Sequence, residues 1–362
     1  MKTINRRFIL CILLICCFVL PTNQVFAKAE SGTAAFQLGT TLYEQGPQMD
    51  YALRVLQESS FDLVAIEVNW AEIQPEATQT INTQNLDLII RSLQTSQQKL
   101  FIRLVNAPDW ALSPTGPDIQ STIQCISQII NLYPIIQAVE VFPGANIENL
   151  WGTAPSAEHY MRMLSSIADY FSQNHINTLL IVGGFLQLNP EQGQNGILDL
   201  NFLQSMYDYG FKNLPAVVSV QFENIEADPE MPATSQTDLT MRHYELVRQV
   251  MINNVDQNRL MWVTKLTPPQ QKDGPNLLEN QAQWMEKALT LIRSQLYIQV
   301  CILQPINPEK TSQSNQFSLI KADGTLNPII NIFPFYSVTL NNPFSNNVLK
   351  LVQQKQNLPK MR

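Results

Sequence analysis

Val139–Gly152 reads VEVFPGANIENLWG, a strand-length apolar run that breaks at Pro143-Gly144. Proline presets φ and glycine adopts backbone conformations other residues avoid, so the pair marks a turn. A helical pattern follows over Ala157–Asn174, where Met161, Leu164, Ile167, Ala168 and Phe171 share one face. Strand, turn and helix form a unit, and the unit recurs in both directions. Apolar runs at Phe36–Leu42, Leu63–Val68 and Leu100–Val105 precede the strand Ala138–Phe142. Leu179–Gly183, Val217–Phe222, Leu260–Thr264 and Tyr297–Leu303 come after it. Helical patterns fill the gaps at Asp50–Ser59, Gln84–Ser96, Asp118–Leu132, Asn201–Tyr209, Gln236–Asn254 and Leu278–Ser294.

Eight strands starting about 25 to 45 residues apart, each with room for one helix, fit either a doubly wound sheet or a closed barrel. A doubly wound nucleotide-binding sheet announces itself by a Gly-rich turn after its first strand. Gly39 and Gly46 make no such turn, and Gly183-Gly184 is a lone pair. The count of eight and the even spacing predict a single-domain α/β protein, a (β/α)8 TIM barrel over residues 28–335. Its functional end is expected at the carboxyl ends of the strands. Residues 336–362, Gln- and Lys-rich, are expected to form a tail that closes the barrel's edge and then frays.

The start of the chain reads as an export signal. Lys2, Arg6 and Arg7 precede the uncharged run Phe8–Leu20, and Val25-Phe26-Ala27 offers a cleavage site after Ala27. The run is short of the ~20 apolar residues a spanning helix needs, so residues 1–27 are expected to be cleaved rather than to anchor the protein. Lipidation at Cys11, Cys16 or Cys17 is the alternative, but Ile15 is too bulky for the residue before a lipidated Cys16. The reading implies a secreted or extracytoplasmic protein with no membrane span after cleavage. The chain has 23 basic and 30 acidic residues; losing the three basic ones of the leader leaves about 20 against 30, a net charge near −10. Such acidity argues against nucleic acid as a partner. Cys125 and Cys301 alone would remain, two buried small hydrophobes rather than a disulfide framework. His159, His175 and His243 have no metal-ligand spacing, and no G-x-S-x-G elbow or P-loop occurs. No metal or cofactor is expected.

Several stretches carry a resemblance to a known family. Phe61–Glu76 (FDLVAIEVNWAEIQPE), Leu100–Leu112 (LFIRLVNAPDWAL) and Val139–Gly152 resemble the second, third and fourth strands, with their loops, of the retaining glycoside hydrolases of clan A, the cellulase and xylosidase type. Phe202–Gly210, Val217–Phe222, Trp262–Lys265 (WVTK) and Asp323–Pro328 (DGTLNP) agree with it, so the similarity spans roughly residues 36 to 330. Such enzymes use two carboxyl groups about 5–5.5 Å apart, one an acid/base and the other a nucleophile. The resemblance places the Asn-Glu pair bearing the acid on Pro143 and Gly144, and the nucleophile on Lys265. It also puts the Arg that braces the nucleophile at Ala65 and a sixth-strand His at Gln221. Glycine donates no proton, and a protonated lysine has no lone pair with which to attack.

The resemblance therefore implies a glycosidase-like barrel lacking both catalytic glutamates. Trp70, Trp110 and Trp151 follow strands two to four and are candidates for a sugar-stacking platform, or for a plug at the barrel top. Asn146, Gln221, Glu223 and Lys265 complete the candidate binding set. Glu148 and Glu223 are loop carboxylates at the functional end, within reach of a ligand there. Glu140 and Glu67 point inward and are expected to be core ion-pair partners, with Lys265 as a cation that could neutralise either. Three readings follow: an inactive pseudoenzyme that binds carbohydrate or a cell-envelope partner, an active glycoside hydrolase with relocated carboxylates, or a structural interaction module.

Overall fold

The computed structural model describes residues 36–335 except 44–47, 95, 97, 189–194, 224, 270–276, 304, 309–316 and 322. The expected leader, residues 1–27, and tail, residues 336–362, lie outside the described residues. Eight strands close a barrel in which every neighbouring pair is parallel. They are β1 (Gln37–Tyr43), β2 (Leu63–Asn69), β3 (Lys99–Val105), β4 (Ile136–Val141), β5 (Leu179–Phe185), β6 (Ala216–Phe222), β7 (Met261–Leu266) and β8 (Ile298–Leu303). Each strand neighbours its sequence neighbours, and β1 closes on β8. The expected (β/α)8 barrel is thus the fold.

Helices α1 (Met49–Glu58), α2 (Gln84–Leu93), α3 (Ile119–Leu132), α4 (Ala157–Gln173), α5 (Asp199–Asp208), α6 (His243–Asn253) and α7 (Leu277–Arg293) alternate with the strands. In the eighth place, among the described residues, stands a 3-10 helix, Pro328–Phe335. Side-chain caps start two helices: Asp118 accepts from the Ser121 amide at 2.8 Å, and Ser156 from the His159 amide at 3.2 Å. The sixth helix starts at His243, not at Gln236. The Asp238 carboxylate collects the amides of Thr234 and Ser235 and both their hydroxyls, a local turn that competes with helix formation.

Because strand side chains alternate with period two, each strand feeds the barrel interior at every second residue. The lower interior layer is apolar: Leu63, Ala65, Phe101, Ala138, Ile181, Val217, Trp262, Val300 and Ile302 form one buried cluster. Two residues further along the same strand faces the chemistry changes. Ala65 gives way to Glu67, Phe101 to Arg103, Ala138 to Glu140, Val217 to Ser219 and Gln221, and Trp262 to Thr264. The outward faces bury Val64, Ile66, Ile102, Leu104, Val139 and Val141 against the helices, in the larger core. Each such side chain contributes on the order of 1.5–3 kcal/mol. This second core is what holds the polar layer at a fixed height in the lumen.

Candidate functional site at the carboxyl end of the barrel

Glu67, Arg103 and Glu140 are in direct register across β2, β3 and β4. Arg103 Nε donates to Glu140 Oε2 at 2.7 Å, and its Nη1 meets Glu67 Oε2 at 3.0 Å. Its Nη2 donates to Gln221 Oε1 at 3.2 Å. Glu140 Oε1 accepts from Ser219 Oγ and Thr264 Oγ1, each at 2.7 Å. The Glu140 side chain is 0 % exposed and that of Arg103 2 %. Burial by itself would lower the Arg103 pKa, but the charges of Glu140 and Glu67 outweigh it and raise the value further above the usual guanidinium range. Glu140 is therefore a buried anion held by three donors. It has no path to a substrate, as its inward core position suggested.

Lys265 lies on β7 opposite Gln221 of β6. It does not neutralise Glu67 or Glu140 by a salt bridge; its ammonium forms an ion pair with Glu223, just beyond the end of β6. The lumen cation is Arg103, which sequence reasoning missed although a charge inside the run LFIRLV, two residues after the inward Phe101, was its visible signal. The Lys265 and Glu223 side chains keep 17 % and 31 % exposure and Glu67 keeps 19 %, so all three reach the mouth. Gln221 is buried, with its amide nitrogen donating to the Gly184 carbonyl and its oxygen taken by Arg103. Gly184 stands at φ +53°, a conformation that favours glycine, and a Cβ there would also crowd that nitrogen at 2.5 Å.

Gly144 follows β4 at the same end of the barrel. Its φ is +80°, and a Cβ there would lie 2.5 Å from Leu150 Cδ1. An acid here would hold a left-handed backbone that side chains rarely adopt, and would have to displace the tip of Leu150. Asn146, expected to touch ligand, is instead wholly buried: its amide donates to the carbonyls of Leu186 and Ile197 at 2.9 Å each, and its oxygen accepts from the Leu186 amide at 3.1 Å. It ties the loop after β4 to the one after β5, with all its hydrogen bonds spent inside the protein. Glu148 opens the short helix Glu148–Trp151, half-buried.

The tryptophans form a buried relay more than a platform. Trp70 and Trp151 are fully buried, so neither offers a ring face to a sugar. Trp70 Nε1 donates to Gln74 Oε1 at 2.9 Å, and Trp151 Nε1 to the Thr115 carbonyl at 2.9 Å. Phe142 bridges them, stacked on Trp70 at 6.4 Å and edge-on to Trp151 at 6.0 Å. Trp110 packs edge-on against Trp70 at 5.5 Å, donates to the Gln74 carbonyl, and alone of the three stays half-exposed. Each Trp nitrogen needs an acceptor once buried, and the loops supply one.

The remaining groups singled out in the sequence are structural where described. His159 is buried between Thr115 Oγ1 at 2.9 Å and the Pro117 carbonyl at 2.8 Å. His243 meets Asp199 Oδ2 at 2.7 Å, both buried. Cys125 and Cys301 are free and buried, and burial pushes both thiol pKa values up. Among the described residues no cluster of three His, Cys, Asp or Glu could hold a metal, and no helix is long and apolar enough to cross a membrane.

No protein-family model matches the sequence, and no curated protein does so. Solved structures do match in fold. A family 39 glycoside hydrolase from Bacteroides cellulosilyticus superposes with a TM-score of 0.63 at 13 % identity, over 86 % of this chain and 65 % of that one. A glucosidase from Croceicoccus marinus gives 0.59 at 11 % identity, over 83 % and 66 %. An intracellular xylanase from Thermoanaerobacterium saccharolyticum gives 0.58 at 12 % identity, over 82 % and 94 %. The chain spans about two thirds of the length of the first two. Its fold is that of the clan A glycoside hydrolases, as the strand motifs implied. Within that fold, the mouth of this chain presents Glu67, Lys265 and Glu223, with half-exposed Trp110 in the loop after β3.

Proposed function

We propose that the protein is an exported, glycoside hydrolase-like barrel that binds carbohydrate, free or as part of a cell-envelope partner, without cleaving it. The observation that carries this reading is the Lys265–Glu223 ion pair at the mouth, in the place the family resemblance assigns to the nucleophile. An ammonium engaged with a carboxylate offers no lone pair with which to attack an anomeric carbon. The left-handed backbone at Gly144 supports it too, since a side chain at the acid position would be strained. Binding remains chemically reasonable. Lys265 offers hydrogen-bond donors, Glu67 and Glu223 offer acceptors, and half-exposed Trp110 offers an apolar edge, a set suited to hydroxyl-rich rings.

The alternative is an active hydrolase using relocated carboxylates. It is favoured by one fact, that Glu67, Glu223 and Glu148 all keep some exposure at the same end of the barrel. A panel of aryl glycosides, run beside calorimetric titration with oligosaccharides, separates the readings. Binding without turnover supports the pseudoenzyme. Turnover lost on Glu223→Gln or Glu148→Gln would establish the hydrolase instead. Neither binding nor turnover would leave the barrel as an interaction module. Export rests on the leader alone, and amino-terminal sequencing of the mature protein should begin near Lys28.

A further inference from the structure

The opposite, amino-terminal end of the barrel holds a cavity of about 650 Å³ that the proposed carbohydrate site does not use. Its inner wall is the lower lumen layer, with Leu63, Phe101, Ala138 and Trp262 facing it from β2, β3, β4 and β7. The room exists because β4 sends only a methyl group inward at Ala138, whereas β3 and β7 send rings. Phe101 and Trp262 stand edge to face, 5.8 Å between centroids, and line it with aromatic carbon. The Trp262 indole nitrogen is buried away from the cavity surface, so what this ring turns to the cavity is carbon.

The rim has a different character. Lys99, at the first position of β3, and His175, in the loop before β5, are both exposed at the edge, among the amides of Asn131 and Gln137. Among the described residues no carboxylate lines the cavity, although the whole chain carries a net charge of −7. The Lys99 ammonium lies 3.5 Å from Gln37 Oε1, a weak neutral partner. The acid that acts on it, Asp62, is itself occupied by the Leu38 amide at 3.0 Å. The cavity therefore has an aromatic, apolar depth and a cationic, hydrogen-bonding lip.

We infer that this floor cavity is a second ligand site, for a small amphipathic anion. Its planar apolar body lies against Phe101 and Trp262, and its anionic head sits at Lys99 and His175. Size, wall and rim charge each point to that class: a volume of this order suits a compact ring system, and the lip discriminates by charge.

Naphthalene-2-sulfonate is a suitable probe, titrated by calorimetry into the intact protein, beside neutral 2-naphthalenemethanol. The expected result is saturable one-to-one binding of the sulfonate, at least tenfold tighter than the neutral analogue. Lys99→Glu should weaken it at least tenfold, and Ala138→Leu, which fills the depth, should abolish it. Lys99 is exposed, so its variant reports even if the filled barrel fails to fold. Absence of saturable sulfonate binding would overturn the inference. So would equal binding of the neutral analogue, indifference to Lys99→Glu, or undiminished binding by a folded Ala138→Leu protein.

Discussion

Inside the barrel, Arg103 Nε and Glu140 Oε2 lie 2.7 Å apart with water excluded from both side chains. The same guanidinium also holds Glu67, so one cation serves two carboxylates on the flanking strands. Arg103→Met should therefore be strongly destabilising, because it leaves Glu140 as a buried charge without its counter-ion. Losing one partner of a buried pair costs about 3–5 kcal/mol. Chemical denaturation should show a loss of that order, and adding Glu140→Gln to the Arg103→Met protein should recover part of it. A loss below about 1 kcal/mol would mean the lumen network contributes little.

At Gly144 the backbone, φ +80°, and the neighbouring Leu150 both oppose a side chain. Gly144→Ala should cost roughly 1–3 kcal/mol from the left-handed conformation, with the contact of its Cβ against Leu150 Cδ1 on top. Gly144→Glu should cost at least as much, and adding Leu150→Ala to either should relieve the contact part while leaving the conformational one. Thermal unfolding of these variants separates the contributions. If Gly144→Glu is as stable as the original protein, the loop adapts freely and the acid position is open.

Much of this architecture is legible in the sequence, and the parts that are not share a cause. Period-two alternation and even spacing place all eight strands to within about two residues, because strand pleat and βα unit length are local rules. The same alternation brings Glu67 and Glu140 inward. The fate of Trp70 and Trp151 is not local: it depends on Gln74 folding back and on Thr115 crossing from another loop. Asn146 likewise bridges segments 40 and 51 residues away, and Lys265 chooses Glu223 over the lumen acids because Arg103 already serves them. Loop geometry decides each of these, and a strand pattern does not contain it.

Asp118 gives a pH-dependent prediction. The Ser121 amide, against some desolvation by burial, and then the Ser121 hydroxyl hold its carboxyl below the ordinary value of 3.8. A depressed pKa means the folded state binds protons less readily than the unfolded chain. The stabilisation is then full above the unfolded value, about 3.9, and disappears as pH falls through the folded one. Asp118→Ala should cost about 1 kcal/mol at neutral pH, as loss of a helix cap does. Asp118→Asn keeps a capping oxygen, so it should stay near the original stability at pH 7 and show a shallower loss as pH falls below about 4. An unchanged acid limb in the Asn variant would show that the carboxylate's charge is irrelevant to the cap.

The Lys265–Glu223 pair makes the final prediction, since it serves both parts of the proposed function. Activated aryl glycosides need little help from an acid, so they bypass the deficit at Gly144 and ask only for a nucleophile or a general base. Lys265 supplies neither while its ammonium is paired with Glu223, and Glu223 is itself engaged by that ammonium. Release of nitrophenol by the purified protein should therefore stay at background across the panel. Lys265→Met removes the ammonium that we assign to sugar hydroxyls and frees Glu223 as a carboxylate at the mouth. Oligosaccharide affinity should then fall about ten- to a hundredfold, the contribution of one charged hydrogen bond. Turnover in this variant should remain low, because a lone carboxylate still lacks its partner acid. Unchanged affinity would remove Lys265 from the binding surface. Turnover by the original protein that is lost on Glu223→Gln would show that the Lys265–Glu223 pair opens during catalysis and that the mouth is an active site.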